Sequence, residues 1–261
     1  MKNLFLKEKI QIIAKGGLGN QLFQLSLAEY LNKIFKNKKK IQINTSWYSS
    51  QSKRVFDIKK YYKFDFRTTN SKLTLSDKIL SYRSEKLHSL LLKKKYVFFQ
   101  KYNGYWQDEF YARHLNIENF DKNLFFKKKY LPSKYYIMHF RGDDFFSSKS
   151  HIVLEVEYYI KTLKFFLDYP IIAIGDKIHA NDILKKINNN KIKYLDLNEY
   201  DSFSSIINSN GGIASNSTFC WWGIYINLIK NSNNKFLFPE VWMKNINYSS
   251  SKVRILNSKS I

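Results

Sequence analysis

Cysteine is nearly absent. Cys220 is the only one in 261 residues, so no disulfide framework can form within the chain, and a reducing compartment fits. Proline is scarce as well, at three residues, which excludes a proline-rich linker or scaffold. Acids are outnumbered: 21 Asp and Glu face 44 Lys and Arg, a net charge of +23 that draws polyanions to the surface. No apolar run approaches the ~20 residues needed to cross a bilayer. Met1 to Lys9 is followed only by the short apolar run Ile10 to Ala14, not by a signal-peptide core. The chain is therefore expected in the cytoplasm, soluble or at most peripheral to a membrane.

What is present in quantity is apolar and aromatic: hydrophobic residues make 44% of the chain, and Phe, Trp and Tyr alone make 17% of it. That content buries enough surface to offset ordering entropy, and the length suits one large or two modest domains. Lysines cluster at Lys38–Lys40, Lys93–Lys95 and Lys127–Lys129. They read equally as the by-product of an AT-rich coding sequence and as a surface for anionic lipid or a phosphate-rich partner. A nucleic-acid module would interleave basic residues with exposed aromatics on one face. Here the aromatics fall mainly in apolar runs, so nucleic acid is not an expected partner.

Hydrophobic periodicity divides the chain into two α/β stretches. Ile10–Ala14 reads as a strand, Gly16–Asn20 as a glycine-rich turn, and Leu22 to Leu31 as a helix, the opening of a βαβ unit. Lys40–Asn44 is a second strand and Tyr96–Gln100 a third, with residues 50–95 weakly patterned. The second stretch begins after Pro132. Strands are expected at Tyr135–Phe140, Pro170–Ile174, Ile192–Leu195, Gly212–Ala214 and Phe236–Phe238. Helices are expected at Tyr158–Leu167, Asp182–Ile187, Ser202–Ile207 and Thr218–Ile229. The expected organisation is an α/β domain over 1–131, a second over 132–240, and a tail over 241–261 that packs back on the first. Ligands of such sheets gather at the carboxyl ends of the strands.

Three polar segments fall there. Gly16-Gly17-Leu18-Gly19-Asn20-Gln21 lets backbone N–H groups approach a ligand ahead of a helix N-terminus. It lacks the third glycine of a dinucleotide fingerprint and the Gly-Lys-Ser/Thr of a Walker loop, so a plain tight turn fits as well. His139-Phe140-Arg141-Gly142-Asp143-Asp144 ends a strand, with His139 and Arg141 on one side by alternation. An arginine there suits a diphosphate, or it simply pairs with Asp143 or Asp144. Ser215-Asn216-Ser217-Thr218-Phe219-Cys220-Trp221-Trp222-Gly223 places hydroxyls at a helix start, either as an ordinary cap or as a phosphate site.

Taken in order, Gly-Gly-Leu-Gly-Asn-Gln, Gly104-Tyr105-Trp106-Gln107-Asp108, His139-x-Arg141 and Ser-Asn-Ser-Thr-Phe-x-Trp-Trp-Gly resemble the α-1,2-fucosyltransferases of glycosyltransferase family 11, the bacterial members above all. The likeness runs from residue 10 to about 243, ending at Pro239 and Trp242-Met243. It implies a GT-B-like pair of Rossmann-like domains with a cleft between them. It also implies inverting, metal-independent transfer of L-fucose from GDP-β-L-fucose to the 2-hydroxyl of a galactoside, in O-antigen or capsule synthesis. The acceptor implied is a galactose-containing, lipid-linked oligosaccharide held at the inner face of the cytoplasmic membrane, which an anionic surface would help this basic chain to reach. The chain contains no Asp-x-Asp, the metal–diphosphate signature of the other main glycosyltransferase fold.

Residue by residue, the resemblance gives His139 and Arg141 to the donor phosphates. Ser217, Thr218 and Phe219 join them, with Asn216 and Asp176 alongside, and Asp201, sixteen residues before Ser217, goes to guanine. Gly17, Gly19 and Asn20 face fucose and acceptor. Arg141, Asn20 and Asp144 are the catalytic candidates, and Asp143, Asp108 and Glu109 are further possibilities for a base. The pattern is broken at Gly142, where the family has a second Arg, and at Asp143, where it has Gly. That departure leaves open a different GDP-6-deoxyhexose donor or an inactive relative. Cys220 replaces a serine of the family and is expected to be a buried substitution without redox function.

Overall fold

A computed structural model describes residues 9–36, 39–50, 54–72, 74, 85–97, 100–142, 145–247, 251–255 and 259–260. The chain is mixed α/β and forms two compact units, Met1–Phe120 and Asp121–Ile261.

In the first unit, strand β1 (Lys9–Ile13) leads through Gly16 and Gly17 into helix α1 (Leu18–Phe35) and on to β2 (Lys40–Asn44). Strand β3 (Arg67–Thr69), helix α2 (Glu85–Lys93), strand β4 (Lys101–Asn103) and the short helix α3 (Glu109–Ala112) follow. The four strands are parallel in the order β3-β2-β1-β4. β1 and β2 pair Ile10 with Ile41 and Ile12 with Ile43, and these isoleucines are buried, as expected for a parallel sheet covered by helices. The expected strand at Tyr96–Gln100 lies instead at Lys101–Asn103, because Tyr102 is the ring that buries against the β1 core. β3 went unread, since its Arg-Thr-Thr sits exposed or half-buried at the sheet edge and carries no apolar pattern.

The second unit holds β5 (Tyr136–Phe140), α4 (Val156–Leu163), β6 (Ile171–Gly175), α5 (Lys177–Ile187), β7 (Ile192–Tyr194) and α6 (Glu199–Ile207). Then come β8 (Gly211–Ile213), α7 (Thr218–Lys230) and β9 (Lys235–Phe238). Strands β10 (Val241–Met243) and β11 (Ile246–Asn247) form a small antiparallel pair, and β12 (Lys259–Ser260) closes the order. The main sheet runs β12-β9-β8-β5-β6-β7, parallel at every pairing. Its middle is dry: every residue of β5 is buried. β8 lies close against β5 because Gly212, at φ 148°, has no Cβ; one there would overlap the Ile137 carbonyl. Buried Asn227 donates to the carbonyls of Ile206, Ile207 and Ser209, tying α7 to the end of α6.

Residues 121–131 group with the second unit. Leu124 is buried, and its carbonyl accepts from Ser204 and Asn208 near the end of α6. The described part of the tail has contacts within this unit: Trp221 donates its indole N–H to Val253, and β12 pairs with β9.

Both sheets share one topological feature. β1 lies between β2 and β4, and β5 lies between β6 and β8, so each sheet reverses its winding beside its first strand. Such a reversal opens a crevice at the carboxyl ends of the two strands concerned.

Candidate functional site

In the second unit the crevice lies where β5 and β8 end. His139, the penultimate residue of β5, is almost fully enclosed, and its Nδ1 lies 2.8 Å from Ser215 Oγ, just past β8. Burial, then the Arg141 charge and the nearby His179, push its pKa down to about 3, so it is neutral at physiological pH. Arg141, half-buried, follows at the strand end with its guanidinium 5.0 Å from the centre of the Phe145 ring. Ser217 occupies the N-cap position of α7 but makes no capping hydrogen bond with its side chain, against the expectation of an ordinary cap. No acidic residue stands in the first turn of the helix. A helix N-terminus and its dipole favour an anion at this point.

Phe219, in the first turn of α7, bridges the two parts, with ring-centre separations of 6.0 Å from His139 and 5.2 Å from Phe203 of α6. Thr218 beside it is half-buried. Asn216 is committed to structure: its amide nitrogen donates to Ile152 and Trp242, while buried Oδ1 has no partner among the described residues. Asp176 caps α5, accepting the His179 N–H at 2.8 Å, and its backbone N–H reaches the Phe140 carbonyl. Cys220 is enclosed, its thiol pushed up to about 12 by burial.

Asp201 stands apart from this group. It lies in the first turn of α6, paired with Lys128 at 2.7 Å and accepting from Asn198. Asp143 and Asp144 lie outside the described residues. The other carboxylates considered as a base are engaged. Asp108 is buried, caps α3 through Phe110 and pairs with Lys93 at 2.7 Å; Glu109 pairs with Arg113 at 2.6 Å.

The first unit has its own crevice, at the ends of β1 and β4. Gly16 turns at φ 81°, and Gly17 is the N-cap of α1, with no side-chain cap and no acid in the first turn. Gly19 is buried in that turn, and Asn20 Oδ1 accepts from Gln107 at 2.9 Å. So Gly17, Gly19, Asn20 and the Gly-Tyr-Trp-Gln segment are brought together, all within this unit.

Several contributors were not read from the sequence. Arg54 places Nη1 3.2 Å from where a Gly17 Cβ would stand. Lys15 is buried with its ammonium 4.5 Å from the centre of the Tyr105 ring; burial lowers its pKa and Glu85 opposes that. Glu85 accepts the backbone N–H groups of Tyr105 and Trp106 at 3.0 and 2.8 Å, holding Trp106 at φ 55°. Gln24 clasps both backbone groups of Lys15 and reaches Gly104. A signal for this last clasp exists: Gln21 and Gln24 interrupt the apolar face of α1, and a buried amide there must have partners. His179, beneath Gly142, donates from Nε2 to the Leu154 carbonyl.

Of the lysine runs, Lys93 and Lys128 are held by Asp108 and Asp201, and Lys127 by the Ser133 carbonyl. Lys127–Lys129 groups with the second unit. Lys94, Lys95 and Lys129 are exposed. Among the described residues, no helix is long and apolar enough to cross a membrane, and no group of three or more His, Cys, Asp or Glu residues gathers as metal ligands. No family model matches the chain, and no characterised protein or solved structure is significantly similar to it.

Proposed function

We propose that the chain is an inverting glycosyltransferase that moves L-fucose from GDP-β-L-fucose to the 2-hydroxyl of a galactoside, without a metal, in surface-polysaccharide assembly. The observation that carries the reading is the second-unit crevice: Arg141 closes β5 beside the uncapped start of α7, at the reversal of sheet winding. That pairing suits a nucleoside diphosphate. The planar guanidinium fork and the N-terminus of α7 complement phosphate oxygens, and both act where charge grows as GDP departs. The ordered motif set along the chain supplies the sugar and the acceptor, and with them the GT-B-like arrangement of two Rossmann-like domains.

In this mechanism the acceptor oxygen bonds to the anomeric carbon while the bond from that carbon to the β-phosphate breaks. The leaving electron pair passes to GDP, and the acceptor proton goes to a carboxylate, for which Asp144 is the assigned group. Arg141, Ser217 and Thr218 hold the diphosphate. His139, neutral, fixes Ser215 and so the loop that presents the α7 amides. For Asp201 to read guanine, it must exchange its Lys128 partner for the base. An anionic membrane surface is the proposed meeting place with a lipid-linked acceptor. A second reading, another GDP-6-deoxyhexose donor, is favoured by Gly142, where one cation of the family pattern is missing.

The test is purified protein incubated with a panel of GDP-sugars and galactosides, with products read by mass spectrometry. Fucosyl transfer supports the first reading and transfer of another deoxyhexose the second. Neither hydrolysis nor transfer across the panel would overturn both.

A further inference from the structure

The first unit contains a cavity that the transfer chemistry above does not use. It has a volume of about 530 Å³ and opens at the carboxyl ends of β2 and β3, where Thr45, Tyr48, Ser49, Phe56, Thr68 and Asn70 line it. That volume lies within the usual range for small-molecule sites, ~300–1,000 Å³. Among the described residues, Lys59 is the one charged residue in the lining and no carboxylate takes part.

The walls are fixed by hydrogen bonds that leave a particular chemistry facing inward. Tyr48 donates its hydroxyl to the Gly16 carbonyl at 2.9 Å, Thr45 donates to Thr69 at 3.2 Å, and Ser49 donates to Asn70 Oδ1 at 3.1 Å. Thr45 and Ser49 have given their protons and keep lone pairs, so each is left an acceptor, whereas the Tyr48 hydroxyl is also bonded by the Gln21 side chain. The Asn70 amide nitrogen, the Thr68 hydroxyl and the Lys59 ammonium remain as donors. Phe56 adds an apolar wall, its ring held 5.8 Å from Tyr48, which in turn packs edge-on against Trp47 at 5.0 Å.

A mixed set of acceptors and donors beside an aromatic ring matches a ligand that offers hydroxyls on its rim and C–H groups on its face. It does not match a phosphate, which needs several donors and no acceptors, nor a cation, which needs carboxylates. We infer that this cavity is a binding subsite for a neutral saccharide. Tyr48 ties it to the Gly16 turn at the mouth of the first crevice, so the sugar bound there is the acceptor's, a step that rests on the transferase reading above.

The experiment is saturation-transfer NMR on the full chain with millimolar methyl β-galactoside, methyl β-glucoside and N-acetylglucosamine, with inorganic phosphate competing in a parallel series. At least one glycoside is expected to receive saturation, and phosphate to leave it unchanged. Phe56→Ala is expected to weaken the glycoside about tenfold, and Asn70→Ala and Thr68→Val several-fold. GDP binding by calorimetry should be the same in all three variants as in the parent. Asn70 and Thr68 are exposed, so those two variants decide the matter even if Phe56→Ala unfolds. Absence of any glycoside signal, displacement by phosphate, or a signal indifferent to Asn70→Ala and Thr68→Val overturns the assignment. Glycoside binding lost in the variants of a protein that turns over no GDP-sugar would keep the subsite and remove the transferase reading instead.

Discussion

Replacing His139 by asparagine isolates the cost of keeping an imidazole neutral inside the second unit. Asparagine can still bond Ser215 from near the Nδ1 position but does not titrate. In the folded chain His139 is enclosed, and burial, with Arg141 and His179, lowers its pKa from 6.5 to about 3. A depressed value on a base means that the unfolded chain binds the additional proton between those limits. Its contribution to stability is therefore complete above the unfolded value and is lost as the pH falls through the window. At about pH 5 the unfolded imidazole is mostly protonated and the folded one is not, which costs about 2 kcal/mol relative to about pH 7. Any folded value at or below about 4 gives the same figure at that pH, because the unfolded titration sets it. Urea unfolding followed by tryptophan fluorescence reports the difference, since Trp221 and Trp222 are buried in the same unit. His179, His88 and His114 are also lowered by burial and soften the parent at acid pH. They remain in the variant, so the quantity to compare is the pH slope of parent minus variant. Equal losses in both proteins between these pH values would show that His139 titrates normally, and the enclosed His139–Ser215 pair would have to be abandoned.

Other expectations follow from the same crevice and from the surface. Arg141→Ala should lower kcat/KM by a factor corresponding to several kcal/mol, as for a charged contact made in the transition state, and Arg141→Lys should recover little because a point charge cannot replace the fork. Near-normal turnover of either variant removes Arg141 from the donor site. Transfer should be unchanged by EDTA; abolition by the chelator with rescue by manganese or magnesium would require a different mechanism. Sedimentation with anionic vesicles should show binding that fades as salt shortens the Debye length below ~8 Å. Charge reversal at the exposed Lys94, Lys95 and Lys129 should weaken that binding and leave transfer to a free galactoside intact, each lysine near the surface being worth ~1 kcal/mol. An equal preference for neutral vesicles at low salt removes the membrane from the account.

Much of the second unit was legible because its strands are continuous apolar runs bounded by glycine, proline or aspartate. Tyr136–Phe140 and Ile171–Gly175 shift by a single residue from the expected spans. Helices α5 and α6 start earlier than their apolar pattern, at Lys177 and Glu199, because Asp176 and Asn198 cap them with hydrogen bonds to His179 and Asp201. The cap, not hydrophobicity, sets those ends. The first unit was harder. Its glycine turn and α1 read clearly, yet Arg54 and Tyr48 reach the turn, and Glu85 the Gly104–Trp106 segment, from segments with no periodicity. Their places depend on long-range bonds such as Glu85 to Trp106 and Tyr48 to Gly16. Sequence spacing carries no record of such contacts.

Gly142 shows how a motif departure and its packing belong together. The backbone there lies so close to its neighbours that a Cβ would stand 2.6 Å from Phe146 Cε2, 2.9 Å from His179 Cβ and 3.1 Å from Asp176 Oδ1. Phe146 is 59% exposed and free to swing aside. His179 is not, being 4% exposed and bonded through Nε2 to Leu154. An arginine placed at this position would therefore meet the enclosed His179 on one face and a carboxylate on another, and would need the cap of α5 to shift. The space beneath the strand end is filled by a histidine kept neutral-leaning through burial, with its ring edge-on to Phe140 and Phe146. On the proposed reading, a diphosphate held here draws positive potential from Arg141 and from the N-terminus of α7. That is why Ser217, at the N-cap yet making no cap bond, matters more in this chain than it would beside a second arginine. A side chain that capped α7 would compete directly for the amides on which the anion depends.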